Sequence, residues 1–404
     1  MKKLGILSLV GAVSLSASSI NEALSPGSTS GEIRLGYLQQ NNETSSNTYA
    51  TVLGGIVKYE TAPWQNAKLG VAGYISQKIS FATGSQEKQS PDFFDAEGNS
   101  FVYLGEAYMD YTKDDLTLRV GRQLIDSPFI ATDDVRMLPN TFEGAMATYR
   151  GIDKTTLSAG YLMRWAGFDS PRGHNDSMNE FKKFGVNHDS AGVFLAGITN
   201  QSIDNLALQG WVYSVDKVTN VVYADVLYRF CFSESSGINV AVQYAKFDEQ
   251  KDKDGVGTGV DGGVYGLGAN VNMGILTLGV AVNRVLNKEG KHVNNGLGGG
   301  PYYTSMEEWT IERMEDARAY QVSGKVDMAS SGVEGLTLTA LYGEFKSAPM
   351  EAKITEMDIV AMYQISEKWC TDVSYAKIED RNNNFDGGND AGYGRFLARL
   401  NYTF

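Results

Sequence analysis

Six cationic side chains stand in one kind of local setting. Arg34 lies between Ile33 and Leu35, Lys58 between Val57 and Tyr59, Lys68 beside Leu69, and Arg119 between Leu118 and Val120. Arg395 and Arg399 are each followed by an apolar residue, Phe396 and Leu400. Period-two alternation marks an extended strand with unlike faces, so each cation points away from an apolar surface and into a polar space. A guanidinium or ammonium there does no bond chemistry by itself. Several lining one water-filled channel set up a field, attract anions and discriminate between permeating ions. The plainer account is that Arg and Lys fill a wet interior and are balanced by nearby acids such as Glu106 and Asp110.

Other chemistry is poorly represented. His174, His188 and His292 fall in polar connecting segments, whereas a barrel hydrolase would need a His and a Ser on adjacent strands. Asp252-Lys253-Asp254-Gly255 has acid spacing suggestive of calcium but lacks the downstream Glu of the EF-hand loop. No enzyme activity, metal site or cofactor is expected. The formal charge of -13 argues against a nucleic-acid partner. Cys231 and Cys370 read as free thiols, because they fall on strands too distant for the roughly 7 Å Cα separation that a disulfide tolerates.

The elements that position these cations repeat along the chain. Residues 154–164 put Leu157, Ala159, Tyr161 and Met163 on one face, and Thr156, Ser158, Gly160 and Arg164 on the other. Residues 274–283 and 319–328 do the same. About eighteen such segments occur, each close to the length with which a tilted strand crosses a bilayer. After the N-terminus no run is long and apolar enough for a transmembrane helix, and the mean hydropathy is only -0.25. A closed barrel is the remaining way to satisfy every backbone group in lipid. The links alternate in length. Short ones occur near 113–115, 151–153, 201–203, 273–274 and 366–367, and long polar ones near 78–100, 125–141, 165–189, 248–260, 286–316 and 379–391. Short periplasmic turns and long extracellular loops have this arrangement. Tyr37, Tyr59, Tyr111, Tyr149, Trp211, Tyr228, Phe230, Trp369 and Tyr375 lie near segment ends, where aromatic girdles are expected. The expected fold is all-β, a transmembrane antiparallel barrel.

The two ends carry sorting signals. Lys2 and Lys3, an apolar stretch Leu4 to Leu15, and small residues Ser16 to Ser19 read as a secretory signal. The expected division is therefore a cleaved segment 1–22 and one barrel domain, 23–404. In the last strand Phe396, Leu400, Tyr402 and Phe404 share a face. A terminal Phe of this kind is read by barrel-assembly machinery.

Residues 126–144 add a motif: Asp126-Ser127-Pro128, then Ala131-Thr132-Asp133-Asp134-Val135-Arg136-Met137-Leu138-Pro139-Asn140-Thr141-Phe142-Glu143-Gly144. This D-x-P … A-T-x-D-x-R-x-L-P-x-T-F-x-G pattern resembles the OprD-like family of outer-membrane porins. The resemblance implies eighteen strands, substrate selectivity and a third extracellular loop folded into the lumen, with Asp133, Asp134 and Arg136 at the constriction. It also implies that the six cations form a basic ladder guiding carboxylate-bearing solutes. Closure would place Arg395, Arg399, Arg34, Lys58 and Lys68 on one contiguous wall, with Arg119 nearby and Arg229 pointing inward elsewhere. The expected function is passive diffusion of small polar solutes, with amino acids or organic acids favoured, across the outer membrane. The alternative is a structural or adhesive barrel plugged by its loops. Expected partners are outer-membrane lipid and lipopolysaccharide, the solutes, the assembly machinery at Phe404 and, as an assembly state this fold allows, a homotrimer.

Overall fold

The computed structural model describes residues 26–170, 177–185, 190–251, 255–293, 298–382 and 392–404. The candidate signal segment 1–22, His174, His188 and Asp252 to Asp254 lie outside these residues. The strands are β1 (Ser28–Asn42), β2 (Thr48–Glu60), β3 (Ala67–Lys78), β4 (Phe101–Lys113), β5 (Leu116–Gln123), β6 (Thr141–Ile152), β7 (Thr155–Ala166), β8 (Lys182–Lys183), β9 (Val193–Asn200) and β10 (Leu206–Val215). They continue with β11 (Thr219–Cys231), β12 (Ser236–Glu249), β13 (Gly262–Met273), β14 (Leu276–Leu286), β15 (Ala317–Asp327), β16 (Leu336–Ser347), β17 (Ala352–Gln364), β18 (Trp369–Asp380) and β19 (Gly392–Thr403). Among the described residues these nineteen strands form one antiparallel sheet, which closes because β1 pairs with both β2 and β19. Eighteen make the barrel wall. The other, β8, is a two-residue addition to the end of β7 contributed by a loop.

Alternation turns each strand into a partition between lipid and lumen. On β14, Leu278, Val280 and Val282 are exposed, while Gly279 and Asn283, of the opposite parity, are buried. On β1, Ile33 and Leu35 are exposed outward and Arg34 is buried inward. Of the aromatics expected at segment ends, Tyr111, Tyr149, Tyr228, Phe230 and Trp369 are exposed near the ends of their strands, and Tyr375 is exposed in the middle of β18. Trp211 departs from the girdle expectation: only 7% exposed, it faces inward and stacks on Tyr213. It also lies in the middle of β10, where parity puts it with Tyr213 and Val215. Cys231 and Cys370 are both free thiols.

The loop between β5 and β6 leaves the wall and enters the lumen. Its Phe129, Ile130, Met137 and Leu138 are buried. Phe129 sits edge-on to Tyr213, Tyr223, Phe247 and Tyr302, with ring centroids 5.4 to 6.0 Å apart. The departure shortens β5, whose ladder with β4 ends at the pair Ala107 and Arg122. Arg122 then takes over for the missing strand, donating from Nη1 to the Leu104 carbonyl at 3.0 Å and from Nε to Glu143 on β6 at 3.2 Å. Gly121, at φ +125°, makes the turn possible, since a Cβ there would lie 2.1 Å from the Ala107 carbonyl oxygen.

Candidate functional site: the charged lumen

The six cations expected from alternation all lie on the arc β19–β1–β2–β3–β4–β5. Each has an acidic partner. Lys58 meets Glu106 at 2.9 Å and sits over the Tyr108 ring. Lys68 meets Glu60 at 2.8 Å. Arg119 grips Asp110 with two hydrogen bonds, 2.6 and 2.7 Å, and stacks 3.9 Å from the Tyr108 centroid. Arg395 meets Glu308 at 2.6 Å and Asp92 at 3.2 Å. Arg399 meets Asp372 at 2.7 Å. Arg34, the most buried, donates to both carboxylate oxygens of Asp134 at 2.7 Å and meets Glu32 at 2.7 Å. The wall is therefore a ladder of ion pairs. Arg229 shares a parity with the inward-facing Tyr223 and Asp225, but it is exposed near the short-turn end, away from this arc.

The third-loop residues divide among different tasks. Asp134 chelates Arg34 and thereby ties the loop to β1. The carbonyls of Asp134 and Arg136 accept from Arg399 at 2.6 and 3.0 Å, and that of Met137 accepts from Arg34 at 2.9 Å. Arg136 reaches Asp92 and Glu308, each at 3.0 Å, the two acids that also hold Arg395, and packs over Phe168. Burial works against its charge, but Glu308 and Asp92 more than offset this, so it holds its proton more tightly than an ordinary arginine. Asp133 has a left-handed backbone, φ 38°. Burial first, then the neighbouring Asp169, pushes its carboxyl up to about 7, against the pull of Arg136.

The described residues 298–316 of the loop between β14 and β15 also enter the lumen; the length of this loop is legible in the sequence, its direction is not. Its Glu308 bridges Arg136 and Arg395, and its backbone donates from Glu307 to Asp358 at 3.2 Å and from Glu308 to Glu356 at 2.9 Å on β17. Farther back, Tyr303 donates its hydroxyl to Asp225 on β11, and Thr304 donates its backbone N–H to the side-chain oxygen of Asn283 at 3.0 Å. Two cavities of about 420 and 370 Å³ adjoin there, sharing Asp225 and Tyr303. Trp211, Gln209 and Ser127 line the first, and Asn239, Asn270 and Gln321 line the second. Opposite walls of the lumen thus differ: one arc is rich in ion pairs, the other in hydroxyls, amides and aromatic rings, with the carboxylates of Asp225 on β11 and Asp126 on the third loop among them.

Comparison with known proteins agrees with this architecture. The structure resembles that of Pseudomonas aeruginosa OpdK with vanillate, at TM-score 0.76 and 16% identity over 95% of this chain and 99% of that one. It resembles P. aeruginosa OccK9 (OpdG) at TM-score 0.76 and 17% identity, over 94% and 99% of the two chains. For P. aeruginosa OccK8 (OprE) the values are 0.74 and 17%, over 95% and 99%. Among curated proteins no match was found. The family model described as outer membrane porin, OprD family, matches residues 112–386, which takes in most of the barrel and the inward third loop. The chain belongs to the OprD family of outer-membrane porins.

Proposed function

We propose that this porin conducts small polar solutes by passive diffusion and favours those that carry a carboxylate. The observation that supports this reading is the arc of six lumen-facing cations, of which Lys68 and Arg119 keep about 30% and 28% of their side chains exposed. A permeating carboxylate can replace a resident acid at such a site, since both are bound by the same fork or ammonium geometry. The displaced acid keeps a second cation beside it, Asp110 with Lys68 at 3.9 Å and Glu60 with Lys58 at 4.0 Å. That avoids the penalty of stranding a charge in a low-dielectric channel. The facing wall, with Asp225, Tyr303 and Gln321, suits an amine or hydroxyl on the same solute. A structural neighbour was crystallised with vanillate, a carboxylate, which is consistent with this preference.

The structure guides the choice of test. Arg395 and Arg399 hold the inward loops, so their loss alters pore shape as well as charge. Among the described residues Lys68 and Arg119 form ion pairs with wall carboxylates alone, Glu60 and Asp110. Replacing both by Gln should move the reversal potential toward cations in a planar bilayer. In liposome swelling it should slow organic acids more than neutral sugars. Equal slowing of both would reduce the protein to a general diffusion pore. The competing reading, a structural or adhesive barrel plugged by its loops, draws on the two loops that cross the lumen. It requires that refolded protein give no reproducible single-channel steps.

A further inference from the structure

The outer surface carries charges that the lumen does not use. On β14 to β17, Arg284 is the register partner of Arg318, Arg318 of Lys346, and Lys346 of Lys353. The end of β18 continues the row, because Arg381, the residue after it, donates its backbone N–H to the Lys353 carbonyl at 2.8 Å. Each of these residues shares the parity of exposed apolar neighbours: Arg284 with Val282, Arg318 with Tyr320, Lys346 with Tyr342, Lys353 with Met357, and Arg381 with Tyr375. The row therefore faces out of the barrel. It lies at the long-loop, extracellular end of its strands.

Like charges placed directly opposite on adjacent strands repel and destabilise the pairing. The protein supplies only part of the compensation. Asp316 takes Arg284, Glu344 takes Lys346 and Lys353, and Glu379 takes Arg381. Among the described residues no ion pair is formed by Arg318. Five cations thus meet three carboxylates, and Lys346, Lys353 and Arg381 keep side-chain exposures of 51%, 40% and 53%. At about 4.8 Å per strand the row is roughly 19 Å wide. Directly beneath it on the same face lie Tyr320, Val322, Tyr342, Met357 and Ile359, all exposed.

We propose that this row binds the phosphate groups of a lipid in the outer leaflet, with the acyl chains lying on the tyrosine and aliphatic surface below. The occupant must be anionic at the level of the row and apolar a few residues deeper. A phosphorylated lipid has that order built in. A second copy of this chain docked isologously would bring the same cations face to face. The row acts on the lipid directly, so binding does not depend on a bridging divalent cation.

The test is native mass spectrometry of the folded barrel in detergent, with diphosphorylated lipid A, its dephosphorylated form and phosphatidylcholine as probes, in the presence of a chelator. Wild type should retain the diphosphorylated probe about tenfold or more over the dephosphorylated one. The variant R318Q/K346Q/K353Q should lose that preference, and K346R/K353R should keep it. Arg284 is left intact because its guanidinium also binds the Asp316 and Ala317 carbonyls. Heat-modifiable migration and an unchanged single-channel conductance show that the variants fold. Equal retention of both forms of lipid A by wild type, or an unchanged preference in the Gln variant, would overturn the proposal. So would loss of the lipid on chelation, its full displacement by millimolar inorganic phosphate, or crosslinks between two copies through this face.

Discussion

Arg34 shows how much one side chain does in this lumen. It is 4% exposed, and its guanidinium is used on Asn401, Asp134 and the Met137 carbonyl at once. Its parity between Ile33 and Leu35 is visible in the sequence. Its partner is not, because Asp134 lies 100 residues away and reaches it only when a loop folds inward. The same is true of Glu308, which joins Arg136 and Arg395 from a loop whose sequence gave no sign of direction. Alternation reports which face a residue occupies, but says nothing about what a distant loop will lay on that face. Asp133 carries a testable consequence. Its carboxyl titrates near 7, chiefly because it is buried. An acid raised in the folded state keeps its proton there while the unfolded chain has already lost it. The docked loop is therefore favoured at low pH, and that advantage is lost as pH rises from about 4 through about 7. Above that, a new negative charge stands on the inward loop. Reversal potentials in a salt gradient should move toward cations between about pH 6 and about pH 8, and Asp133→Asn should flatten the change. An unaltered pH response in the Asn variant would mean that another group is titrating.

At the scale of the element, the third loop is held at two ends by unlike forces. Phe129 anchors it in an aromatic cage on β10 to β12, and Asp134 anchors it by charge on β1. Aromatic pairs of this edge-on kind add to what area burial gives. Loss of the ring by Phe129→Ala should therefore cost about 3–5 kcal/mol, felt mainly by the docked loop because the wall strands keep their ladders. The expected readout is a larger single-channel conductance with more open-channel noise, in a barrel that still migrates as folded. Conductance equal to wild type would show that the Arg34 end holds the loop alone. The sequence supplied the inward fold only through its motif. Nothing in the apolar pattern of residues 124–140 distinguishes a loop that packs inside a barrel from one that packs on itself. Arg122 belongs to the same event: an arginine at an outward position becomes intelligible only once β5 is seen to leave the wall beside it.

For the whole molecule, one rule governs both faces, and strand register decides which side chains meet lipid. A slip of one residue would exchange every lipid-facing side chain for a lumen-facing one. The short and long links, the strand count and the alternation were all legible in the sequence because each is local. Closure was inferred from the absence of any other way to satisfy the backbone in lipid, and it appears as the thirteen-residue β2 and twelve-residue β19 flanking β1. β14 offers the cleanest test. Val280 is near the middle of that eleven-residue strand, is 59% exposed, and pairs with Ala269 and Val322 on the outward face. Gly279 beside it pairs with Asn270 and Ser323, so the inward row is polar at the same depth. A charge placed outward must sit in hydrocarbon, while one placed inward meets water and hydrogen-bonding groups. Gly279 is a poor site for the inward control, since a Cβ there would lie 2.5 Å from the Ser323 hydroxyl and 2.6 Å from the Asn270 carbonyl oxygen. Ser323 already projects a side chain and serves better. Val280→Arg should lower refolding stability by about 2–4 kcal/mol in lipid vesicles, and Ser323→Arg by well under half of that. The difference should shrink in short-chain detergent, where the outward arginine regains water. Equal losses at the two positions would mean that the faces of β14 are exchanged, and with them the lumen assignment of its neighbours on β13 and β15.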